Sequence, residues 1–334
     1  MKISASVYSD KKRALREVIN DLVGHQIEVL HIDCNDNLNV FIDIKKIRSW
    51  CNTPIDLHII TDEPDKYYDL LLENPVEYVT FQYENLTKPL KLPKNIKGKK
   101  GLAITTPTDI EVFQDFEYMD FILIMATTPG QSGGSFDQYN FSKIRKFRSR
   151  YPRKSIHVDG GVNDEVSFIL RNMGVSLSVS GSYLFSGASI GNSLMNLTQR
   201  EIESTYCVRD FMTPLEEAPH VFIENATTKS ILETVEDGKM GFALICNKDQ
   251  KLFGLVSSAD IRKALLKKID KPSLIETEDL INTNPINISD EATVIELLQQ
   301  IKSCSFPIMY LPVIDKSMNA VGIVNFVHLI KGEI

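Results

Sequence analysis

The sequence predicts an α/β protein: a compact (β/α)8 barrel followed by a smaller α+β module made of one unit repeated. Three observations carry that prediction. Eight short apolar runs alternate with amphipathic stretches over roughly the first 185 residues. No Gly-x-Gly-x-x-Gly follows the first run, so an open doubly wound sheet lacks its main signal. After residue 205, a plan of about 60 residues occurs twice.

The eight predicted strands are 3–7, 28–34, 56–60, 78–82, 102–105, 121–126, 155–159 and 177–180, with helical patterns between them. Residues 11–23 illustrate the helices: Leu15, Val18, Ile19 and Leu22 recur at spacings of three and four and so share a face. Residues 193–204 read as the last barrel helix. Eight strand–helix repeats in about 200 residues suit a barrel at the small end of its range. Beyond it lies the segment Val208-Arg209-Asp210-Phe211-Met212-Thr213-Pro214. In the first repeat, residues 223–228 precede a helix at 230–236 and strands at 242–247 and 254–257. In the second, residues 288–293 precede a helix at 294–303 and strands at 309–314 and 322–325. Residues 267–277, polar and carrying Pro272, link the two. The expected domains are 1–204, 205–270 and 271–334.

At 334 residues the chain has room for two or three domains. Its 43% hydrophobic and 24% charged residues are ordinary for a soluble globular protein. A net charge of −7 gives no reason to expect nucleic acid. The one basic run, Lys143, Arg145, Lys146, Arg148, Arg150, Arg153 and Lys154, reads as the solvated face of a surface helix. No stretch approaches the ~18 apolar residues of a membrane span, and the N-terminus lacks the pattern of a secretory signal. Five scattered cysteines without a Cys-x-x-Cys pair suit reduced thiols in the cytoplasm.

Four residues stand out for chemistry: His31, Asp33, His58 and Asp159, each at the end of an apolar run. Two imidazoles and two carboxylates suit a divalent metal flanked by acid/base groups, a set that moves a proton next to a carbonyl. His25 and His157 read instead as hydrogen-bonded or core histidines.

Residues 1–185 resemble the ribulose-phosphate 3-epimerase family across all eight strands. The carriers are Ile3-Ser4-Ala5-Ser6-Val7, His31-Ile32-Asp33, Asp56-Leu57-His58, Met125 with Pro129-Gly130-Gln131-Ser132-Gly133-Gly134, Val158-Asp159-Gly160-Gly161-Val162-Asn163, and Ser180-Gly181-Ser182 with Leu184-Phe185. The resemblance implies a cation (Zn, Fe, Mn or Co) held by His31, Asp33, His58 and Asp159. It implies Asp33 and Asp159 as the acid/base pair, and an enediolate formed from ribulose 5-phosphate, xylulose 5-phosphate or a close analogue. Ser6 and Met125 would line the substrate, and Gly133, Gly134, Gly160, Gly161, Gly181 and Ser182 would hold its phosphate. The chain departs from the family after Asp36, where Gly-x-Phe-Val-Pro-Asn becomes Asn37-Leu38-Asn39-Val40-Phe41-Ile42. It departs again where two family methionines become Asn35 and Ile60, and where Asn-Pro-Ala-Thr becomes Thr105-Thr106-Pro107-Thr108. These changes touch substrate contacts, so either an epimerase of some phosphorylated ketose or a catalytically weak sensor of sugar phosphate and nucleotide fits.

Residues 208–334 resemble a pair of CBS domains, a tandem (Bateman) module of α+β type. In nucleotide-binding members a hydroxyl, and an Asp three residues later, hold phosphate and ribose. Gly254-Leu255-Val256-Ser257-Ser258-Ala259-Asp260 fits, which implies an adenine nucleotide effector at Ser257 and Asp260. The second copy, Gly322-Ile323-Val324-Asn325-Phe326-Val327-His328, has neither group. Ser257 and Asp260 read equally well as the cap of the following helix. A CBS pair also implies a homo-oligomer, with a dimer the expectation. No nucleic-acid or membrane partner is expected.

Overall fold

The computed structural model describes residues 1–131, 133–198, 205–304 and 308–326. They group into two compact units that divide between residues 198 and 205.

In the first unit, β1 (Lys2–Ser6), β2 (Val29–Asn35), β3 (Ile55–Ile60), β4 (Tyr78–Gln82), β5 (Lys99–Thr105), β6 (Phe121–Met125), β7 (Ser155–Asp159) and β8 (Leu177–Ser180) close into a barrel in chain order. Every pair is parallel, including β8 back to β1. All five residues of β6 are buried, as a strand covered on both faces requires. The outer layer holds α1 (Leu15–Gly24), α2 (Val40–Trp50), α3 (Tyr68–Glu73), α4 (Tyr139–Arg150), α5 (Asp164–Asn172), α6 (Ser182–Ser186) and α7 (Ile190–Thr198).

Helix α1 buries Val18, Ile19 and Leu22 as its periodicity predicts, but it starts at Leu15 rather than at residue 11. The Asp10 carboxylate takes the backbone N–H groups of Lys12 and Arg13, which bends the chain into a turn before the helix. After β4 and β5 the connections carry only 3-10 turns, at Tyr83–Asn85 and Ile110–Phe116, where helical repeats are expected from sequence. Helix α7 begins at Ile190, ahead of the expected 193, and residues 199–204 of that expected helix lie outside the described residues.

The basic run bears out its sequence reading in part: Lys146, Arg150 and Arg153 are exposed, as a solvated face requires, while Lys143, Arg148 and Lys154 are not. Helix α4 lies where expected, yet Lys143 is buried, and its ammonium donates to the carbonyls of Thr105, Thr106 and Thr108. The Arg148 guanidinium donates to Lys154 and Gly174 carbonyls, and Lys154 to those of Glu117 and Met119. Long cationic side chains here satisfy loop carbonyls at the ends of strands instead of extending into water.

The second unit contains α8 (Val208–Phe211), β9 (Thr213–Pro214), β10 (His220–Phe222), α9 (Thr228–Asp237), β11 (Phe242–Cys246), β12 (Leu252–Ser257), α10 (Ser258–Lys267), α11 (Thr277–Leu280), β13 (Ile288–Ser289), α12 (Val294–Ser303), β14 (Tyr310–Ile314) and β15 (Ala320–Asn325). Its sheets run β10-β11-β12 and β13-β14-β15-β9. The corresponding antiparallel pairs β11–β12 and β14–β15 slip register at the same place, beside Ile245 and beside Val313, so the repeat is visible down to its irregularity.

The copies also exchange segments. Strand β9, which opens the module, pairs with β15 of the second copy. The chain after α11 returns to the first, where Asn282 and Leu255 exchange backbone bonds. The expected linker 267–277 is accordingly not a plain tether. It carries a 3-10 turn at Pro272–Leu274, and Lys268 ties it to the Leu274 carbonyl and to Asp279. Val327 and His328 lie outside the described residues. No helix among the described residues is long and apolar enough to cross a membrane.

Candidate metal and acid/base site

Strand periodicity places the site. Successive residues of a strand face opposite sides, so His31 and Asp33 of β2 share the barrel interior with Asp56 and His58 of β3. Register then sets His31 beside Asp56 and Asp33 beside His58. Asp159 arrives at the end of β7, beside Met125. One ligand atom from each of His31, Asp33, His58 and Asp159 lies within 4.8 Å of all the others. Both imidazoles are sealed from solvent, while water reaches an edge of each carboxylate.

The hydrogen bonds behind the imidazoles decide how they face this centre. His31 Nδ1 lies 2.9 Å from Asp56 Oδ2, a carboxylate that only accepts, so Nδ1–H donates there. That leaves His31 Nε2 turned toward Asp33 Oδ1 at 3.3 Å and Asp159 Oδ2 at 3.6 Å. His58 Nε2 lies 2.8 Å from Gln82 Oε1, and its buried Nδ1 has no hydrogen-bond partner, 3.3 Å from Asp33 Oδ1. A buried nitrogen with no partner, aimed at a carboxylate, is what a metal ligand looks like from the protein side. Two borderline nitrogens and two hard oxygens match Zn, Fe, Mn or Co.

The electrostatics separate the two carboxylates. Burial alone would raise Asp33, but the His31 imidazole, hydrogen-bonded to it, and the nearby His58 ring hold it well below the usual carboxylate range. Burial pushes Asp159 up to about 6, with the neighbouring Asp33 charge adding to the shift. Burial works against a charged His31, yet Asp33 and Asp56 more than offset it and hold its proton affinity well above the ordinary value. The centre therefore attracts positive charge, and one of its carboxylates keeps a proton more readily than the other.

The remaining expected barrel residues lie at or just beyond the C-terminal ends of β1, β6, β7 and β8. Ser6 pairs with His31 in register, and its hydroxyl accepts from Ser9 at 3.0 Å. The glycines pack loop on loop. A Cβ on Gly160 (φ +108°) would sit 2.2 Å from Thr127 Oγ1, and one on Gly161 (φ +65°) 2.1 Å from the Phe136 nitrogen. Only glycine allows that approach in a left-handed conformation. Gly134 packs on the same Thr127, so the loop after β6, which also carries Gly133, meets the turn after β7. Ser180 donates to the Val162 carbonyl, which draws the Gly181-Ser182 turn to the same end, where it opens α6. Ser132 lies outside the described residues.

Asn35 and Ile60 stand opposite each other at the top of β2 and β3, and the Asn35 amide packs where a Cβ on Gly130 would be. His157 is buried and stacked on Phe121 at 4.0 Å, and burial lowers it to about 4. His25 is exposed, its Nδ1 2.9 Å from the Asp21 carbonyl. Sequence reasoning assigned no role to Asp56, Gln82 or Glu84. Their signal was a polar side chain at an inward position of an apolar strand, or just beyond its end.

In the second unit, Ser257 and Asp260 are together but engaged with each other. The hydroxyl lies 2.5 Å from Asp260 Oδ2, the same oxygen accepts from Ser257 N–H, and Ser257 Oγ accepts from Asp260 N–H. This is a reciprocal cap on α10.

Residues 2–185, more than half of the chain, match the model of the ribulose-phosphate 3-epimerase family, and residues 278–332 match that of the CBS domain. The ribulose-phosphate 3-epimerase of Eremothecium gossypii is 33% identical over 137 residues, 40% of this chain and 57% of that protein. That of Bacillus subtilis is 26% identical over 200 residues, 55% of this chain and 92% of that protein. That of Methanocaldococcus jannaschii is 29% identical over 230 residues, 64% of this chain and 95% of that protein. Among solved structures, CBSX2 in complex with AMP is 22% identical and covers 38% of this chain and 96% of its own, with a TM-score of 0.33.

Proposed function

The chain belongs to the ribulose-phosphate 3-epimerase family, and we propose that it inverts C3 of a phosphorylated ketose, ribulose 5-phosphate and xylulose 5-phosphate or a close analogue. The observation that carries this reading is geometric: His31, Asp33, His58 and Asp159 each bring one ligand atom within 4.8 Å of the others, so two carboxylates from different strands flank one centre.

Removing the proton on C3 leaves its electron pair to form an enediolate with the C2 carbonyl. One carboxylate takes that proton, and the other returns one to the opposite face. Exchanging the roles runs the reaction backwards. A divalent cation on His31, Asp33, His58 and Asp159 would supply Lewis-acid stabilisation of the charge that develops on the two oxygens. Ser6 and Met125 line the reacting carbons. Gly133, Gly134, Gly160, Gly161, Gly181 and Ser182 close backbone N–H groups on the phosphate. Asn35, Ile60 and Met125 form the wall that selects the ketose.

In the same reading the second unit is a regulatory CBS pair, in which Ser257 and Asp260 take the phosphate and ribose of an adenine nucleotide. The whole is a cytoplasmic homodimer, which sedimentation checks directly.

The test is a panel of ketose phosphates in deuterated water with Zn, Mn, Fe or Co, watched for exchange at C3. Exchange that Asp33→Asn and Asp159→Asn each abolish supports the mechanism, and unchanged turnover in either variant removes it. Binding of metal and ketose phosphate without exchange would instead make the barrel a sensor. For the second unit, calorimetry with AMP and ATP on the wild type and Asp260→Asn decides whether that carboxylate holds a nucleotide.

A further inference from the structure

A histidine ligates a metal only through the nitrogen that lacks a proton, and the group behind the ring chooses which nitrogen that is. Behind His31 the chooser is the Asp56 carboxylate, which only accepts. Behind His58 it is the Gln82 side-chain amide, and an amide has two faces. With its oxygen toward His58, the ring carries its proton on Nε2 and turns an unprotonated Nδ1 to the centre. With its NH2 toward His58, the proton moves to Nδ1 and blocks that nitrogen.

The surroundings of Gln82 settle which face it shows. Its Nε2 donates to Glu84 Oε2 at 2.5 Å and lies 3.5 Å from the Ala103 carbonyl. Both partners are acceptors only. A flipped amide would set its oxygen against the Glu84 carboxylate and forfeit the donor bonds.

Glu84 is itself pinned. Its Oε1 accepts from Thr105 N–H at 2.8 Å, from Thr105 Oγ1 at 2.7 Å and from Thr108 Oγ1. The turn carrying those donors is braced from its other side by the buried Lys143 ammonium, bonded to the Thr105, Thr106 and Thr108 carbonyls at 2.6, 2.8 and 2.6 Å. A continuous chain of hydrogen bonds thus runs from α4 through the end of β5 and Glu84 to Gln82 and His58.

We infer that Gln82, oriented by Glu84, is a positioning residue that fixes the tautomer of His58 and through it the affinity of the site for a divalent cation. This rests on the reading of His58 as a ligand.

The experiment titrates the full-length, metal-free protein with Co2+ against a competing chelator, following the Co2+ visible bands. Gln82→Met keeps the volume and removes the acceptor, and Co2+ affinity should fall ~10–100-fold. Glu84→Gln keeps the shape but can donate, so it frees the amide to flip and should weaken Co2+ by a smaller factor. Because Glu84 acts through Gln82, adding Glu84→Gln to Gln82→Met should change affinity by less than ~2-fold. In the Co2+ protein the His58 Nε2–H should give a slowly exchanging resonance, lost in Gln82→Met. Metal-free melting temperatures check the fold. Should Gln82→Met fail to fold, the Co2+ affinity of Glu84→Gln and the His58 resonance in that variant carry the test in its place.

Wild-type affinity retained in Gln82→Met, or an equal Glu84→Gln effect in both backgrounds, overturns the inference and leaves the metal reading standing. A wild-type protein that takes no Co2+ overturns both.

Discussion

Gly161→Ala is the perturbation whose outcome the structure fixes most tightly. Gly161 sits at φ +65°, and a Cβ there would meet the Phe136 nitrogen at 2.1 Å, the Ser135 carbonyl carbon at 2.6 Å and Phe136 Cα at 2.7 Å. All three are backbone atoms, so no side chain can swing aside. The left-handed conformation costs alanine roughly 1–2 kcal/mol. Reaching an ordinary 3.4 Å contact requires the 135–136 backbone to retreat by about 1.3 Å. Overpacking of that kind costs roughly 1–3 kcal/mol, so the variant should lose about 2–5 kcal/mol and melt on the order of 10 °C lower. The displaced segment adjoins Gly133 and Gly134, and a shift on the order of 1 Å in a binding loop can weaken a reaction by ~100-fold. The KM for a ketose phosphate should therefore rise more than kcat falls. Gly133→Ala is the matched control: it is also left-handed at φ +98°, but its Cβ would meet nothing within 4 Å, so it carries only the conformational part. Scanning calorimetry and steady-state kinetics on both variants decide the matter. If Gly161→Ala melts within ~2 °C of wild type at unchanged KM, the packing of Gly161 on the 135–136 backbone does not organise the phosphate end.

Three further outcomes are expected. Lys143→Met leaves the Thr105, Thr106 and Thr108 carbonyls without their common donor and should lower stability to urea by roughly 2–3 kcal/mol; a midpoint unchanged from wild type would mean that the buried ammonium is dispensable. Burial works to raise the Glu84 pKa, but four hydrogen bonds hold it below the usual carboxylate range. Its contribution to stability should be full above the unfolded value of 4.5 and fade as pH falls through the lower folded value. The gap between wild type and Glu84→Gln in urea melts should therefore shrink on acidification, and a gap that widens would contradict the assignment. Removing divalent metal with a chelator should lower the melting temperature, and Co2+ at ~100 times its dissociation constant should restore about 2.7 kcal/mol; a melting temperature indifferent to metal would argue against the four-residue centre.

Much of this architecture was legible because its parts are periodic. Eight apolar runs became eight strands within a few residues, since a parallel strand covered on both faces has to be apolar throughout. The four central residues were legible because each is a polar group ending such a run, where solvation alone gives no reason for it. What escaped was set by contacts distant in sequence. Asp56 and Gln82 fall at inward positions of β3 and β4, so the period of two marks them. Their roles emerge only when β2–β3 and β3–β4 register brings them against His31 and His58. Within the basic run, Lys143 escaped for the opposite reason. A helical wheel counts Lys143 as one cation among many, whereas its length lets it reach three carbonyls at the end of β5, 35 to 38 residues earlier.

The second unit shows how one local pattern serves two readings. Ser257 and Asp260 match a phosphate-and-ribose pair, yet α9 and α12 begin with reciprocal caps of the same kind, Thr227 with Ser230 and Thr293 with Glu296. Capping therefore accounts for a hydroxyl followed three residues later by an acceptor at the starts of α9, α10 and α12 alike. What distinguishes α10 is that its cap follows β12 directly, with Ser257 ending the strand and Ser258 opening the helix. A nucleotide using both groups must take the Asp260 carboxylate from Ser257, which forfeits a cap of ~1 kcal/mol and lowers the apparent affinity by roughly fivefold. Asp260→Asn should then loosen the first turn of α10 whether or not a nucleotide binds. Only a loss of calorimetric binding larger than that fivefold factor would assign the carboxylate to ribose.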